Sequence, residues 1–543
     1  MLPKDVYSEL EDILSPENVT QEPAILDSYA WQPALNLLKD AWVPRPEAVV
    51  LPHTTAEVQA IVRLCNRTGI KYKAFSTGWA SYSACGSEGV IQIDLRRMNR
   101  ILEIDEKNMI AVIEPYVCGS QLQAECLKRG LNCHIIGAGP NCSPLASLTS
   151  GWGYGWTGLY TSYSNRNPLA VEWVLPDGEL LQMGSLGSGC GWINGDGPGP
   201  SLRGVMRGWG GAQGGLGVFT KCAVKLYPWP GEEGAPKGLR GMMLDLDMES
   251  PALHKLYYIY SPSYAMFAEF AHRIANSEIG YIHCKLTTGG FMSVLMPRAI
   301  RKIMQSKAVR AATKALQHCT SIALACHTER ELAYQEEVLR TIVEETDSFI
   351  FDWSKLSPRL HDTLLWLFHR SIPPAMIFRV GGNFLTSFGA NEMYDMCVLG
   401  CETGEQLKRP YIDKGIFIED TGDNTWGGIY EGSSGWGHIE ECAMYDLRTS
   451  RNPEARFDYL DESVKVVQEK TLGFSLASVG GDSYKYLGPI MYNYHLWQSK
   501  IKSAFDPKYA SDASFYIPPY EEVVKIMEQE DKGRMFGATS SEP

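Results

Sequence analysis

The stretch Ser76-Thr77-Gly78-Trp79-Ala80-Ser81-Tyr82 follows the apolar run Lys71–Phe75, which reads as a strand. A tight loop of small residues after a strand presents successive backbone N–H groups and hydroxyls, the donors that hold a phosphate-like anion. An ordinary turn has the same composition. The glycine-dense stretch Gly204–Gly217 has no Lys-Ser/Thr after it, so it is not a nucleotide-binding P-loop, and no GxGxxG follows a strand. Fourteen cysteines are present with no CxxC pair, Cys397 and Cys401 being the nearest. That spacing argues against zinc and iron–sulfur ligation and for scattered reduced thiols. His438 with Glu440 and Glu441, near Gly422-Asp423-Asn424, is a thin metal-ligand set, and surface ion pairing explains the acids better.

The elements that must position these residues occupy a long chain. Its 543 residues suffice for two or three domains, and 50 Lys plus Arg against 63 Asp plus Glu leave a formal charge of −13. Such an acidic balance argues against nucleic acid as a partner. No apolar run reaches membrane-spanning length, and the N-terminus shows no signal-peptide pattern, so a cytoplasmic location is expected. Residues 137–231 hold 22 of 52 glycines and six of 14 tryptophans. Glycine at that density means close backbone approach or many tight turns.

Asp5–Leu14 has helical spacing. Val49–Leu51 reads as a strand, and Thr54 with Glu57 forms a capping box opening a helix that Gly69 stops. Val90–Leu95 is a strand, Ile101–Asp105 with Met109–Glu114 a hairpin, and Gln121–Arg129 a helix capped by Ser120. Leu169–Leu175 and Leu180–Met183 flank the turn Pro176-Asp177-Gly178-Glu179. The first half is thus α+β with hairpins, without the βαβαβ series of a Rossmann domain. Pro228-Trp229-Pro230-Gly231 marks a boundary, and helical periodicity follows at Pro297–Leu316, Glu329–Glu345, Leu360–His369, Phe457–Glu469 and Tyr492–Ala504. Glycine-broken, strand-like stretches lie at Ile377–Phe388 and Ile416–Trp436.

An ordered set of segments carries a family resemblance. It comprises Arg45-Pro46-Glu47-Ala48-Val49-Val50, Thr54–Val58, Cys65-Asn66, the Ser76-Thr77-Gly78 loop and Asp94-Leu95, then Glu114-Pro115, Glu172–Gly178 and Gly215–Lys221. In this order the set resembles the FAD-binding domain of the vanillyl-alcohol oxidase and p-cresol methylhydroxylase superfamily, with D-lactate and glycolate dehydrogenase flavoproteins as more distant members. His438, Tyr445-Asp446, Asn452-Pro453-Glu454, Gly488-Pro489 and Ile501–Pro507 extend the likeness towards the C-terminus.

The resemblance implies a two-domain α+β flavoenzyme. A helical arm (1–44) would precede an α+β FAD-binding domain (45–231). An α/β cap, or substrate, domain with an antiparallel sheet (232–490) would follow, then a C-terminal segment (491–543) returning to the first domain. It implies FAD with its pyrophosphate against Ser76, Thr77, Gly78, Trp79, Ala80, Ser81 and Tyr82. A second contact run would be Pro140, Asn141 and Ser143 through Gly151, Gly153 and Gly155, and Gly217, Val218 and Thr220 would meet the adenosine end. It further implies an oxidase or dehydrogenase acting on a small alcohol, phenol-like compound or 2-hydroxy acid. A protein electron acceptor and a homo-oligomeric state are also expected, while a flavin-binding electron-relay or assembly subunit is the alternative. Arg379, His438 and Tyr486 are the catalytic candidates. Arg379 suits a substrate carboxylate, reduced flavin or a structural ion pair. His438 matches a flavin-tethering histidine or is a hydrogen-bonded neighbour of the pocket. Tyr484 and Tyr486, with Trp152, Trp156 and Trp436, would wall a pocket or fill core. Where phenol-oxidising relatives hold a phenolate with a Tyr-Arg pair, this chain has Phe474-Ser475, which disfavours a para-phenol.

Overall fold

The computed structural model describes residues 2–30, 42–78, 83–137, 139–151, 153–208, 210–231, 234–286, 306, 308–309, 311, 316–372, 382–420, 425–431, 435–446, 450, 452, 454–470, 472, 484–512, 514 and 516–530. Three sheets organise them. The first contains β1 (Val19–Thr20), β2 (Ala48–Val50), β3 (Lys71–Phe75) and β4 (Val90–Asp94) in the order β1-β2-β4-β3. Its last three strands are parallel. The Thr55–Thr68 helix crosses from β2 to β3. Thr54 accepts from the Glu57 N–H at 3.2 Å, the Glu57 carboxylate accepts from the Thr54 N–H at 3.3 Å, and Gly69 ends the helix at φ +72°. Its buried face, Val58, Ile61, Val62 and Cys65, packs on this sheet with Val6, Leu10 and Leu14 of the Lys4–Leu14 helix. One β-α-β crossover therefore joins the expected hairpins, with β4 slotted between its strands.

The second sheet is antiparallel, with β5 (Ile101–Asp105), β6 (Ile110–Ile113), β8 (Pro168–Val174), β9 (Leu180–Met183) and β10 (Val218–Pro228) in the order β5-β6-β10-β8-β9. A short β7 (Leu131–Cys133) pairs with the end of β10. The third sheet, also antiparallel, has seven strands. These are β11 (His254–Tyr260), β12 (Ile282–Leu286), β13 (Cys319–Ala325), β14 (Phe349–Asp352), β15 (Gly382–Met393), β16 (Thr425–Glu431) and β17 (Trp436–Asp446), ordered β14-β11-β13-β12-β16-β17-β15. Helices Tyr264–Asn276, Glu329–Glu345 and Tyr394–Asp413 cover one face. The other meets residues 154–163, where Trp156 and Tyr163 join a cluster with Tyr258, Cys284 and Tyr430. Late in the chain, the Tyr494–Phe505 and Tyr520–Glu530 helices pack on the second sheet through Ile501, Phe505 and Val523.

Several boundaries differ from the sequence reading for physical reasons. The Gly119–Leu127 helix has Cys118 at its N-cap, without a side-chain hydrogen bond and two residues before Ser120. β11 and β13 lie inside the sheet with both faces covered, so HKLYYIY and CTSIALA lack the alternation that reveals a half-buried strand. The Tyr394–Asp413 helix contains Gly400, Gly404 and Pro410, which hide its pattern. The helix expected over Pro297–Leu316 falls largely outside the described residues. All fourteen cysteines are free thiols.

Candidate cofactor site and the adjoining sheet face

A cavity enclosing about 740 Å³, its open mouth included, lies where the end of β3, the start of the Pro144–Thr149 helix and the loop before β10 meet. Ser76, Thr77, Gly78, Ser143, Gly151 and Gly217 line it, as do Leu95, Pro115, Ile136 and Phe219. None of its described lining residues carries a charge. The N–H groups of Ser76, Thr77 and Gly78 donate no hydrogen bond among the described residues, so three consecutive donors stand ready for an acceptor. The Thr77 hydroxyl accepts from the Ser143 N–H at 3.0 Å, which ties the two loops together. The Ser143 hydroxyl donates to Pro115 O and accepts from the Ala146 N–H at 3.1 Å. An uncharged, donor-rich cradle of this kind fits a dinucleotide pyrophosphate.

Other expected contacts are placed elsewhere. A Cβ on Gly153 would lie 2.1 Å from Ile136 Cγ2, and one on Gly155 would lie 2.4 Å from Ile135 O. These glycines let residues 153–155 press against 134–136, and neither lines the cavity. Val218 is core of the first sheet's cluster, and the Thr220 hydroxyl donates to Glu172 at 3.0 Å. Pro140 and Asn141 stand just outside the lining. Trp79, Ala80, Ser81, Tyr82, Trp152, Arg379, Phe474 and Ser475 lie outside the described residues, as does the side chain of Tyr486. Tyr484 is core, stacked on His495 at 6.3 Å.

Sequence reasoning passed over Gln213 and Gly214, which also line the cavity. The glycine density of 204–217 was the available signal, but the absence of a P-loop lysine diverted it. The loop is held from the C-terminal segment. Lys502, fully buried, donates to Gly215 O at 2.6 Å, to Asp506 at 2.6 Å and to Ser511 O at 2.9 Å. The Ser511 hydroxyl accepts from the Gly217 N–H at 3.0 Å. Lys73 of β3, also buried, donates to Gln213 O at 3.3 Å and Asp512 O at 3.1 Å. Burial lowers both ammonium pKa values, that of Lys502 to about 8.

From Gly151 the chain runs to the third sheet. Trp426, Tyr430, Trp436, His438 and Glu440 alternate on one face of β16 and β17, where His438 is paired with Gly428 and Glu440 with Trp426. Tyr430 lies parallel to His438 at 6.2 Å, and Tyr154 approaches both, at 5.4 and 6.5 Å. Trp156 adds contacts to Trp426 at 6.0 Å and Phe368 at 5.7 Å. His438 Nε2 lies 3.0 Å from Glu440 Oε1, and both groups are buried. Glu441 points to the opposite face, where it and Asp420 share the buried ammonium of Lys408. The three-residue metal set is therefore split across the sheet, and among the described residues no cluster is suited to a metal ion.

Residues 46–184 match a family described as FAD binding domain. These residues form an FAD-binding domain. A 1'-carboxy-chondrochloren decarboxylase of Chondromyces crocatus is 33% identical over 195 residues, 34% of each chain. A glycolate oxidase subunit of Bacillus subtilis is 28% identical over 241 residues, 42% of this chain and 46% of that protein. The chain thus spans less than half the length of these curated relatives. The crystal structure of p-cresol methylhydroxylase with substrate bound covers 95% of this chain and 97% of its own, with TM-score 0.72 and 16% identity. Over nearly its full length the chain therefore shares the fold of that enzyme. Among the described residues no helix is long and apolar enough to cross a membrane.

Proposed function

We propose that the chain is an FAD-dependent oxidoreductase that oxidises a small organic substrate at an alcohol, 2-hydroxy-acid or phenol-like group. The observation that carries this reading is the uncharged cavity of the FAD-binding domain, lined by Ser76, Thr77 and Gly78, whose N–H groups donate to no described residue. Ser143, Gly151 and Gly217 would complete the hold on the dinucleotide. When bound, FAD supplies a hydride acceptor. The chain supplies position, exclusion of water and proton handling. Tyr154, Trp156, Trp426 and Tyr430 keep water from the His438 face. Glu440 lies 3.0 Å from His438 Nε2 and orients the imidazole, and His438 is the residue that would accept a substrate hydroxyl proton. The similar glycolate oxidase subunit and p-cresol methylhydroxylase support the substrate classes.

The test is anaerobic mixing of FAD-loaded protein with an aliphatic alcohol, a 2-hydroxy acid or a para-alkylphenol while flavin absorbance is followed. Bleaching by one class is expected, and His438→Gln should slow it by roughly 100-fold or more, the usual effect of removing a general base. Tightly bound FAD that none of the three classes bleaches would overturn the reading and leave the electron-relay role.

A further inference from the structure

Four basic side chains converge where the FAD-binding domain meets the third sheet. Arg203 and Arg207 stand four residues apart on the short Arg203–Arg207 helix and so share a face. Arg166 closes the turn before β8, and in the same turn the Tyr163 hydroxyl donates to Arg207 O. The Lys225 N–H of β10 donates to Asn167 O at 3.1 Å, beside Arg166. Two of the four cations have carboxylate partners: Arg203 pairs with Asp196 at 3.2 Å, and Arg166 with Glu431 of β16. The side chains of Arg207 and Lys225 have no partner among the described residues. An exposed cation needs none, because water serves it, but both of these are half-buried. Arg203, only 7% exposed, and Arg207 each also bury an Nε without an acceptor. Burial, then the charges of Arg203, Arg207 and Arg166, hold the Lys225 ammonium below its usual range, and burial with Arg203 and Arg166 does the same to Arg207. Such a surplus of cations runs against a chain whose formal charge is −13. None of the four lines the cofactor cavity. They stand instead behind the aromatic wall of the His438 face, where Arg166 lies 4.8 Å over the Trp436 ring and Tyr163 lies 5.2 Å from Tyr430.

We propose that Arg207 and Lys225, backed by Arg166 and Arg203, form a binding site for a small, doubly charged oxyanion of the phosphate type, separate from the cofactor cavity. Two neighbouring cations without counter-ions match two negative charges. The guanidinium fork suits two oxygens of one tetrahedral ion, and the ammonium adds a point charge. Asp196 and Glu431 hold the flanking arginines and leave the other two cations to the ligand. The site stands independently of the reading of the cavity as the FAD site.

The test is calorimetric titration of the full chain with inorganic phosphate, in saturating FAD so that the donors of the cavity are occupied, at an ionic strength held constant with chloride. Saturable binding of one phosphate per chain is expected. Arg207→Gln and Lys225→Gln, one on the helix and one on the strand, should each weaken it about ten-fold or more, the usual effect of losing a charge-assisted hydrogen bond. Lys225→Arg keeps the charge and should largely keep the binding. Phosphate should also raise the melting temperature of the parent and not that of the double Gln variant. No saturable binding by the parent, or equal binding by the parent and both Gln variants, overturns the proposal. The variants decide the matter even if the chain binds no FAD, since phosphate held in the cavity would not respond to them. Glycerol 3-phosphate is the second probe. Tighter binding than inorganic phosphate, lost in the Gln variants, marks the site as taking the phosphate group of an organic molecule, and equal or weaker binding marks it as taking the free ion.

Discussion

Replacing Gly78 by alanine tests whether the Ser76–Gly78 loop holds the cofactor in the conformation seen. Gly78 has φ +69°, where a non-glycine residue costs ~1–2 kcal/mol. The added Cβ would also lie 2.3 Å from Cζ of Phe75 and 2.9 Å from its Cε2, so the ring must move. That ring packs edge-on against Tyr29 at 5.2 Å, and Tyr29 donates to Asp94 at 2.5 Å. Losing the aromatic pair adds ~0.5–1.5 kcal/mol. The sum, ~1.5–3.5 kcal/mol, corresponds to roughly ten- to three-hundred-fold weaker FAD binding if the loop conformation is needed chiefly in the bound state. Fluorescence titration gives the affinity, and melting of the FAD-free protein shows whether the cost is borne before binding. Combining Gly78→Ala with Phe75→Ala should restore the part due to the clash and leave the part due to backbone strain. Gly78→Ala with unchanged FAD affinity and unchanged melting would refute both the strain calculation and the assignment of this loop to the cofactor.

Two further outcomes follow from buried charge and from the His438 face. Burial raises the Glu441 carboxyl from 4.5 to about 7; Lys408 opposes the rise and Asp420 adds to it. Between those values the folded protein keeps a proton that the unfolded chain has lost, so this contribution, ~3 kcal/mol, is present at low pH and disappears as pH rises through 7. Melting curves from pH 4.5 to 8 should therefore show a decline that Glu441→Gln flattens, and parallel curves for the two proteins would contradict the assignment. His438, held at 3.0 Å by Glu440, is expected to leave FAD non-covalently bound, so acid precipitation should release the flavin to the supernatant. A yellow pellet that turns colourless in His438→Ala would identify a tether instead.

Local elements of the first half were legible because their signals are local. The Thr54–Glu57 box, the Gly69 stop, the β3 span and the β9 span all appear where composition and spacing put them. The Ser76–Gly78 loop likewise follows its strand and borders the cavity. What sequence could not supply was which strands are neighbours. β4 pairs between β2 and β3, and His438 meets Tyr154 across nearly three hundred residues. The seven-stranded sheet was expected only from the family resemblance, because its central strands are buried on both faces and lose their alternation.

Glycine density has more than one cause here. The 137–231 segment was read as close backbone approach or many tight turns, and its glycines serve three distinct ends. Gly153 and Gly155 exist because Ile136 and the Ile135 carbonyl leave no room for a Cβ. Gly184, Gly210 and Gly217 permit left-handed turns. Only a subset, Gly151, Gly214 and Gly217, borders the cavity. Packing, turning and ligand approach all select the smallest residue, so composition alone cannot separate them.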